Sequence, residues 1–446
     1  MYGLFKKLVT KMYRNESELI DNSFRKSQDY FILQIIFTTM FSILTGGVYL
    51  AGFAVYLKAS DILIGYISIL PNLCGILMFA GGAVVERFHN KKKVVILLVV
   101  VSKTIICSVI LIPFYVPQKL QGGVLFLLLA IAFTLQGLNG VVTNNWLISI
   151  LPNNIRGRYF AVRQSFSLAV SVALPLATGV LIDSFHDKYM GFLILFCSGL
   201  FMMIIELYTY VNIDEPQIEH IYSDGIKLYD MIVLPLKNRE FTGYVLYMFV
   251  FYVILYISCS FTQVFLIRYL KLPYTFISLM LVFVSLLQIL CYRVWGKICD
   301  TKGNSFVLFA SIWFFIGDMF CWSLMSSGTA YVVMPIDYVF SAIANSGFAV
   351  GAFNRRYSIV PEKGRMLYDG FYSTAIGIAF LLGPFIGSII QQHINSIDFV
   401  RNHIPFAEFR LLYMISCLGV VLLQVAQVII RRLPVKPNAG QDSLNP

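Results

Sequence analysis

Apolar residues along this chain gather into runs of about twenty or more, broken by short polar segments, and do not follow the period-two or one-sided helical patterns of soluble elements. A helix rises about 1.5 Å per residue, so such a run crosses the roughly 30 Å of hydrocarbon in a bilayer. Six runs occupy about residues 31–56, 62–85, 94–115, 123–151, 159–185 and 190–213. A polar stretch from Asp214 to Phe241 follows, and then six more runs at about 242–268, 273–296, 305–326, 329–354, 368–392 and 409–430. The pattern predicts an all-α polytopic membrane protein with twelve transmembrane helices. Its expected divisions are a lead-in over 1–28, a six-helix bundle over 29–213, a linker over 214–241, a second bundle over 242–432 and a tail over 433–446. An even number of spans puts lead-in and tail on one side.

Composition agrees: 58% of residues are hydrophobic and only 13% charged, too few to cover a soluble surface. The net charge of +11 would otherwise raise the question of nucleic acid. Here Lys and Arg are scattered through short loops, and about 24 of the 34 fall on the side that carries both ends. Short basic loops stay in the cytoplasm, so the expected placement is the cell membrane with both termini cytoplasmic. The basic lead-in lacks the short apolar core and small-residue cleavage site of a signal peptide; it reads as interfacial helix or as ordinary solvated charge.

Catalytic and metal chemistry finds little support. The eight cysteines all fall within or at the ends of apolar runs without a CxxC pair, and the five histidines sit in predicted loops. HExxH, GxSxG and GxxxxGK[ST] motifs are absent from the sequence. No enzyme activity, cofactor or metal is expected.

The two sets of spans resemble each other. After span 2 the chain reads GAVVERFHNKKK, and after span 8 it reads GKICDTKGN; Gly82 and Glu86 match Gly296 and Asp300 at a separation of about 214. PNNIRGR after span 4 matches PEKGR after span 10, and LPLATG around Pro175 matches GPFIGS around Pro384, both about 209 apart. Six spans separate equivalent positions, so the halves are parallel repeats. With these motifs the sequence resembles the major facilitator superfamily from about Tyr30 to Arg432. The most specific match is that family's basic loop after span 2, G-x-x-x-D-R-x-x-x-[RK]-[RK], met here by Gly82, Glu86, Arg87 and Lys91 to Lys93, with Glu in place of Asp.

Gly82 would let a helix end approach its neighbour, and the Glu86 carboxylate suits the positive N-terminus of another helix, so this loop can latch two bundles. The resemblance implies a latch that holds the outward-facing state, with Arg87 near Asp369. Repeat symmetry then sets Gly296 and Asp300 against the start of span 5, where Arg163 is the expected partner. The alternative is ordinary positive-inside loop charge.

Polar residues also recur at helical spacing inside the spans. Gln34, Thr38, Ser42, Thr45 and Tyr49 share one arc of span 1; Gln136, Asn139, Thr143 and Trp146 share one on span 4. Span 7 offers Tyr244, Tyr247, Phe251, Ser258 and Thr262, and span 10 offers Asp337, Ser341, Asn345 and Phe348. These stripes are read as the lining of a central cavity, as the resemblance implies for these four helices; hydrogen bonding between helices is the alternative for each. The lining is aromatic and amide-rich with little charge, which suits a moderately apolar or amphipathic organic solute and not a multiply charged metabolite.

Ionisable groups inside spans cost about 2.5 to 3.5 kcal/mol at the bilayer centre. Lys103 and Asp318 stand at equivalent positions of spans 3 and 9 and read as fasteners between helices. Glu206 and Arg293 are expected to snorkel from near the cytoplasmic ends. Asp337, roughly 12 Å into span 10, is the first coupling candidate, with Asp318 and Glu206 behind it. Two family marks are damaged: Phe133 stands where R-x-x-Q-G has its arginine, and G-P-x-x-G-G survives in span 5 only as LPLATG. The reading is a monomeric secondary transporter for a small molecule, with the lipid bilayer as its solvent, a proton as the coupling ion and export as the direction. A sensor or binding protein that keeps the fold is the alternative.

Overall fold

A computed structural model of the chain describes residues 25–73, 91–151, 156–214, 228–361, 365–397 and 405–432. Among these, eleven helices are long and apolar enough to cross a membrane. The shorter apolar helix Asp61–Leu73 stands in the place of span 2. Span 1 is Arg25–Thr45 continued by Gly47–Tyr56, and spans 3 to 6 are Lys91–Ser108 extending to Tyr115, Gln118–Ser149, Arg156–Ser184 and Lys188–Val211. Span 7 is Arg239–Cys259, prolonged by Thr262–Val264 and a π-type turn over Phe265–Tyr269. Spans 8 to 12 are Tyr274–Lys302, Asn304–Leu324, Ala330–Ile359, Arg365–Asn395 and Ala407–Arg432. The twelve-helix expectation agrees with this arrangement. The linker contributes one further helix, Leu228–Lys237, ahead of Asn238, whose side chain caps span 7 by accepting from Phe241 N at 3.1 Å.

Span 1 starts about six residues earlier than hydropathy suggests. Behind the exposed Arg25 and Lys26, the polar side chains of Ser27 and Gln28 are buried because each finds a partner. Ser27 bonds Asp214, Gln28 donates to the Ile150 carbonyl at 3.1 Å, and Tyr159 donates to the Gln28 carbonyl at 2.7 Å. Satisfied polar groups can be buried where a hydropathy sum predicts water.

For orientation, the end bearing Arg25 and Arg432 is called inner and the opposite end outer. Each half packs mainly within itself, span 1 against spans 5 and 6, and span 10 against spans 8 and 9. The halves meet along span 5 with span 8 and span 2 with span 11. At the first of these seams a Cβ on Gly179 would lie 2.6 Å from Ser278 Oγ and 2.9 Å from the Tyr274 carbonyl, so only glycine permits this approach.

Candidate functional site

The four polar stripes turn largely into their own halves. On span 1, Gln34 donates to Thr38 at 2.6 Å and to Glu206 at 3.3 Å, and Thr38 donates to the same Glu206 oxygen at 2.6 Å. Thr45 is buried against Gly199 of span 6, whereas Ser42 is exposed. On span 4, Thr143 donates to Asn139 at 3.2 Å, both engage Tyr210, and Trp146 stacks on Tyr210 while donating to the Asp214 carbonyl at 3.2 Å. Gln136 is half-buried. On span 7, Tyr244 donates to the Ala352 carbonyl at 2.9 Å, Phe251 packs on Phe315 and Phe348, Ser258 faces Met319, and Thr262 meets the Tyr413 hydroxyl at 2.6 Å. Tyr247 is half-buried. On span 10, Asp337 and Phe348 point inside the second half, Ser341 is half-buried, and exposed Asn345 donates back to Ser341 at 3.1 Å.

Two buried charged centres result. In the first half, Lys103 of span 3 forms an ion pair with Glu206 of span 6, the side chains 4% and 1% exposed. The Lys103 ammonium also lies 4.4 Å from the centre of the Phe41 ring, and Arg163 donates to Gln34 Oε1 at 3.2 Å. Glu206 therefore does not snorkel: its carboxylate is held inside by a cation and two neutral donors. In the second half, Asp318 of span 9 and Asp337 of span 10 bring two carboxyl groups into direct interaction beside the Trp322 indole. They are 6% and 1% exposed, Asp337 Oδ1 has no hydrogen-bond partner, and no ion pair among the described residues reaches either. Asp318 is thus the counterpart of Lys103 in sequence but not in chemistry.

Among the described residues, every side-chain hydrogen bond between the halves lies from mid-depth to the outer end. Arg268, on the π-type turn, pairs with Asp61 and donates to the Ala59 carbonyl at 2.6 Å, while Tyr269 donates to the other Asp61 oxygen. Asp183 at the end of span 5 accepts from the Thr275 amide and hydroxyl, each at 2.7 Å, and from the Tyr274 amide at 3.2 Å. A carboxylate from one half thereby caps a helix of the other, where the helix dipole favours negative charge. Below this cap, Tyr49 bonds both Thr178 at 2.5 Å and Ser278 at 3.1 Å and stacks on Tyr274.

The latch end looks different. Asp300 is exposed and unpaired with Arg163, and nothing lies within 4 Å of a Cβ built on Gly296. Asp369 lies 3.3 Å from Arg356 and accepts from Tyr357 at 2.9 Å, both within its own half. Gly82, Glu86 and Arg87 lie outside the described residues, as does the side chain of Lys91. Next to them, Lys92 donates to the Val211 and Ile213 carbonyls at 2.6 and 2.9 Å, tying the basic loop to the end of span 6.

Beneath the closed outer seam lies a cavity of about 180 Å³ between the halves. Its walls are Gly47, Leu50 and Ala51 of span 1, Ile67 to Ile69, Pro71 and Asn72 of span 2, Phe133 of span 4, and Tyr256, Cys259 and Gln263 of span 7. Span 1 breaks there because Gly46 is extended and Gly47 takes a φ of +51°, a conformation glycine adopts without steric cost. Asn72 donates to the Tyr256 hydroxyl at 3.4 Å, and the buried Gln263 Oε1 has no partner. Phe133 puts a ring into this space at the position where the family pattern carries arginine. The stripe choice on span 7 missed this wall, since Tyr256, Cys259 and Gln263 fall on the arc beside the one selected; the Gly46-Gly47 pair was its readable signal.

Comparison with known proteins gives the context. Among curated proteins none matches the chain in sequence. Among solved structures, the nucleoside transporter NupG is similar at 13% identity with a TM-score of 0.64, covering 91% of this chain and 99% of that one. A bacterial homologue of the iron transporter ferroportin in an inward-facing state gives 16% and 0.66, covering 91% and 99%. The inward-open xylose transporter XylE from E. coli gives 13% and 0.60, covering 92% and 97%. At these identities the likeness is one of fold. The sequence pattern of the Major Facilitator Superfamily itself matches residues 30–354, most of the chain, and with the two six-span halves and the seam between them this protein belongs to that family.

Proposed function

We propose that this protein is a secondary transporter that moves a small, moderately apolar or amphipathic organic solute across the cell membrane by alternating access, with its inner end in the cytoplasm. The observation that carries the reading is the inter-half cavity at the break in span 1. Discontinuous helices at mid-membrane are where transporters of repeat architecture bind their cargo. Tyr256, Phe133, Asn72 and Gln263 offer aromatic faces, an amide donor and one unsatisfied acceptor, and no cation or carboxylate lines the space. A neutral solute with an apolar body and a hydrogen-bond donor fits that set.

The seam contacts support an inward-open reading of this conformation, with the Asp61–Arg268 and Asp183 contacts closing the outer end. In the opposite state Gly82, Glu86, Arg87, Lys91, Gly296 and Asp300 would close the inner end, Arg163 leaving Gln34 for Asp300. The GPFIGS pattern of span 11 favours proton-driven efflux as the direction. The similar structures carry names as different as nucleoside, xylose and iron transporter, so the solute class rests on the cavity alone.

The test is uptake and exchange of a panel of neutral amphipathic compounds in proteoliposomes. Gln263→Leu and Tyr256→Ala are expected to lower flux of any transported compound at least tenfold at equal protein abundance. A wild-type protein that binds a compound without moving it would replace this reading with that of a receptor.

A further inference from the structure

Behind the solute cavity stands a second, smaller site. Cys259 forms part of the cavity wall, and the same side chain interacts with both Asp318 and Asp337. The acid pair is absent from the cavity lining and is linked to it through span 7, which carries Cys259. The groups that face the pair from the surrounding helices are Cys259 of span 7, Cys321 and Trp322 of span 9, Tyr338 of span 10 and Tyr413 of span 12. All are neutral at physiological pH in their ordinary forms, and none is a cation. Two adjacent carboxylates in such a setting would repel, and among the described residues the Trp322 N–H is a donor that reaches them while no cation does. Asp337 Oδ1 is buried without a hydrogen-bond partner, and a proton on either carboxyl lets one acid donate to the other.

We propose that Asp318 and Asp337 form a proton-binding site that holds one proton between them in this inward-open conformation. The proton comes from water at the inner side or the outer side and returns to water, no covalent bond other than O–H being made or broken. One carboxyl then donates to the other, which keeps a single negative charge spread over the pair. The site rests on the transporter reading only for its role in coupling. Because Cys259 lines the cavity and lies within electrostatic reach of both carboxyl groups, solute in the cavity and proton on the pair act on the same helix, and each can bias the opening of the other without meeting it.

Infrared difference spectroscopy of the purified full-length protein reads this directly, without a known solute. At neutral pH the wild type is expected to show the carbonyl band of a buried carboxylic acid that shifts in deuterated water. That band should disappear or move in both Asp318→Asn and Asp337→Asn and stay unchanged in Glu240→Gln, a control at an exposed surface carboxylate. Absence of the band from wild type overturns the proposal, and this arm does not depend on any variant folding. A band untouched by Asp337→Asn belongs to another residue and overturns it as well. A carboxylate signal that responds to sodium or manganese and not to pH replaces the proton with a metal ion. The correct band in a protein that moves no solute leaves the proton site standing and removes only the transporter reading.

Discussion

The two halves share one topology and solve the problem of buried charge in opposite ways. In the first, Lys103 and Glu206 neutralise each other while Thr38 and Gln34 occupy the remaining carboxylate lone pairs. In the second, one residue beyond the position that repeat symmetry assigns to Lys103, stands Asp318, and its neighbour is Asp337. This closed ion pair joins spans 1, 3 and 6, and its two charges match. The acid pair has no matching cation among the described residues, and Asp337 Oδ1 is left without a hydrogen-bond partner. Two halves of one topology thus bury a matched ion pair in one case and two neighbouring acids in the other.

The largest effect expected from this contrast follows Glu206→Leu. It strands the Lys103 ammonium among apolar groups, and removing one partner of a buried pair costs about 3 to 5 kcal/mol. Folded protein in the membrane should fall sharply, as read by fluorescence-detected size exclusion and by melting temperature. Lys103→Met combined with Glu206→Leu should recover most of the loss, since no charge is then left alone. Full stability in the single variant would mean that the pair does not hold the half together.

The outer seam extends the comparison, because there the first half supplies the carboxylates and the second half the positive partners. Asp61→Lys sets two cations face to face at Arg268 and should weaken the outer closure. Labelling of Ser278→Cys by a membrane-impermeant maleimide, with the native cysteines replaced, is expected to rise several-fold. Unchanged labelling would assign closure to the Asp183 cap alone. A smaller change is expected in the second half, where Asp318→Asn replaces one member of the proton-sharing pair by an amide that can also donate to Asp337, and should leave melting within about 1 kcal/mol of wild type. A loss above about 3 kcal/mol would show that the pair is as structural as Lys103–Glu206.

Much of this architecture was legible in the sequence because membrane spans announce themselves by length. The six-span repeat was readable from Gly82 and Gly296, Pro175 and Pro384, since loops and prolines keep their spacing through divergence. The stripes on spans 1, 4, 7 and 10 were legible as polar arcs, but an arc states only that a helix has a polar side. Whether Thr38 meets water or Glu206 depends on the rotation of the helix in its bundle, and a neighbour 168 positions away decides it. The Lys103–Glu206 pair was hidden for the same reason, each residue being accounted for separately. The break at Gly46-Gly47 was visible as a dipeptide, yet its meaning required the cavity beside it.

The smallest prediction isolates one bond of the closed centre. Thr38→Val keeps the shape of the side chain and removes the hydroxyl that donates to Glu206 at 2.6 Å. Hydrogen bonds between membrane helices contribute about 1 kcal/mol or less, because the unfolded chain in the bilayer also finds partners. A modest fall in melting temperature is therefore expected in the wild-type background. With Lys103→Met and Glu206→Leu already present the acceptor is gone, and Thr38→Val should then cost almost nothing. The difference between the two costs is the coupling of Thr38 to the ion pair, measured by a double-mutant cycle whose members are in contact. Ser258→Ala supplies the matching measurement in the second half. That hydroxyl meets a backbone carbonyl of its own helix, the Met319 sulfur and the adjoining Cys259 thiol and no charged group, so its removal should couple to no ion pair. Equal costs for Thr38→Val in both backgrounds would mean that the hydroxyl serves its own helix, and the first half's centre would then be a bare ion pair, closer to the second half than the geometry implies.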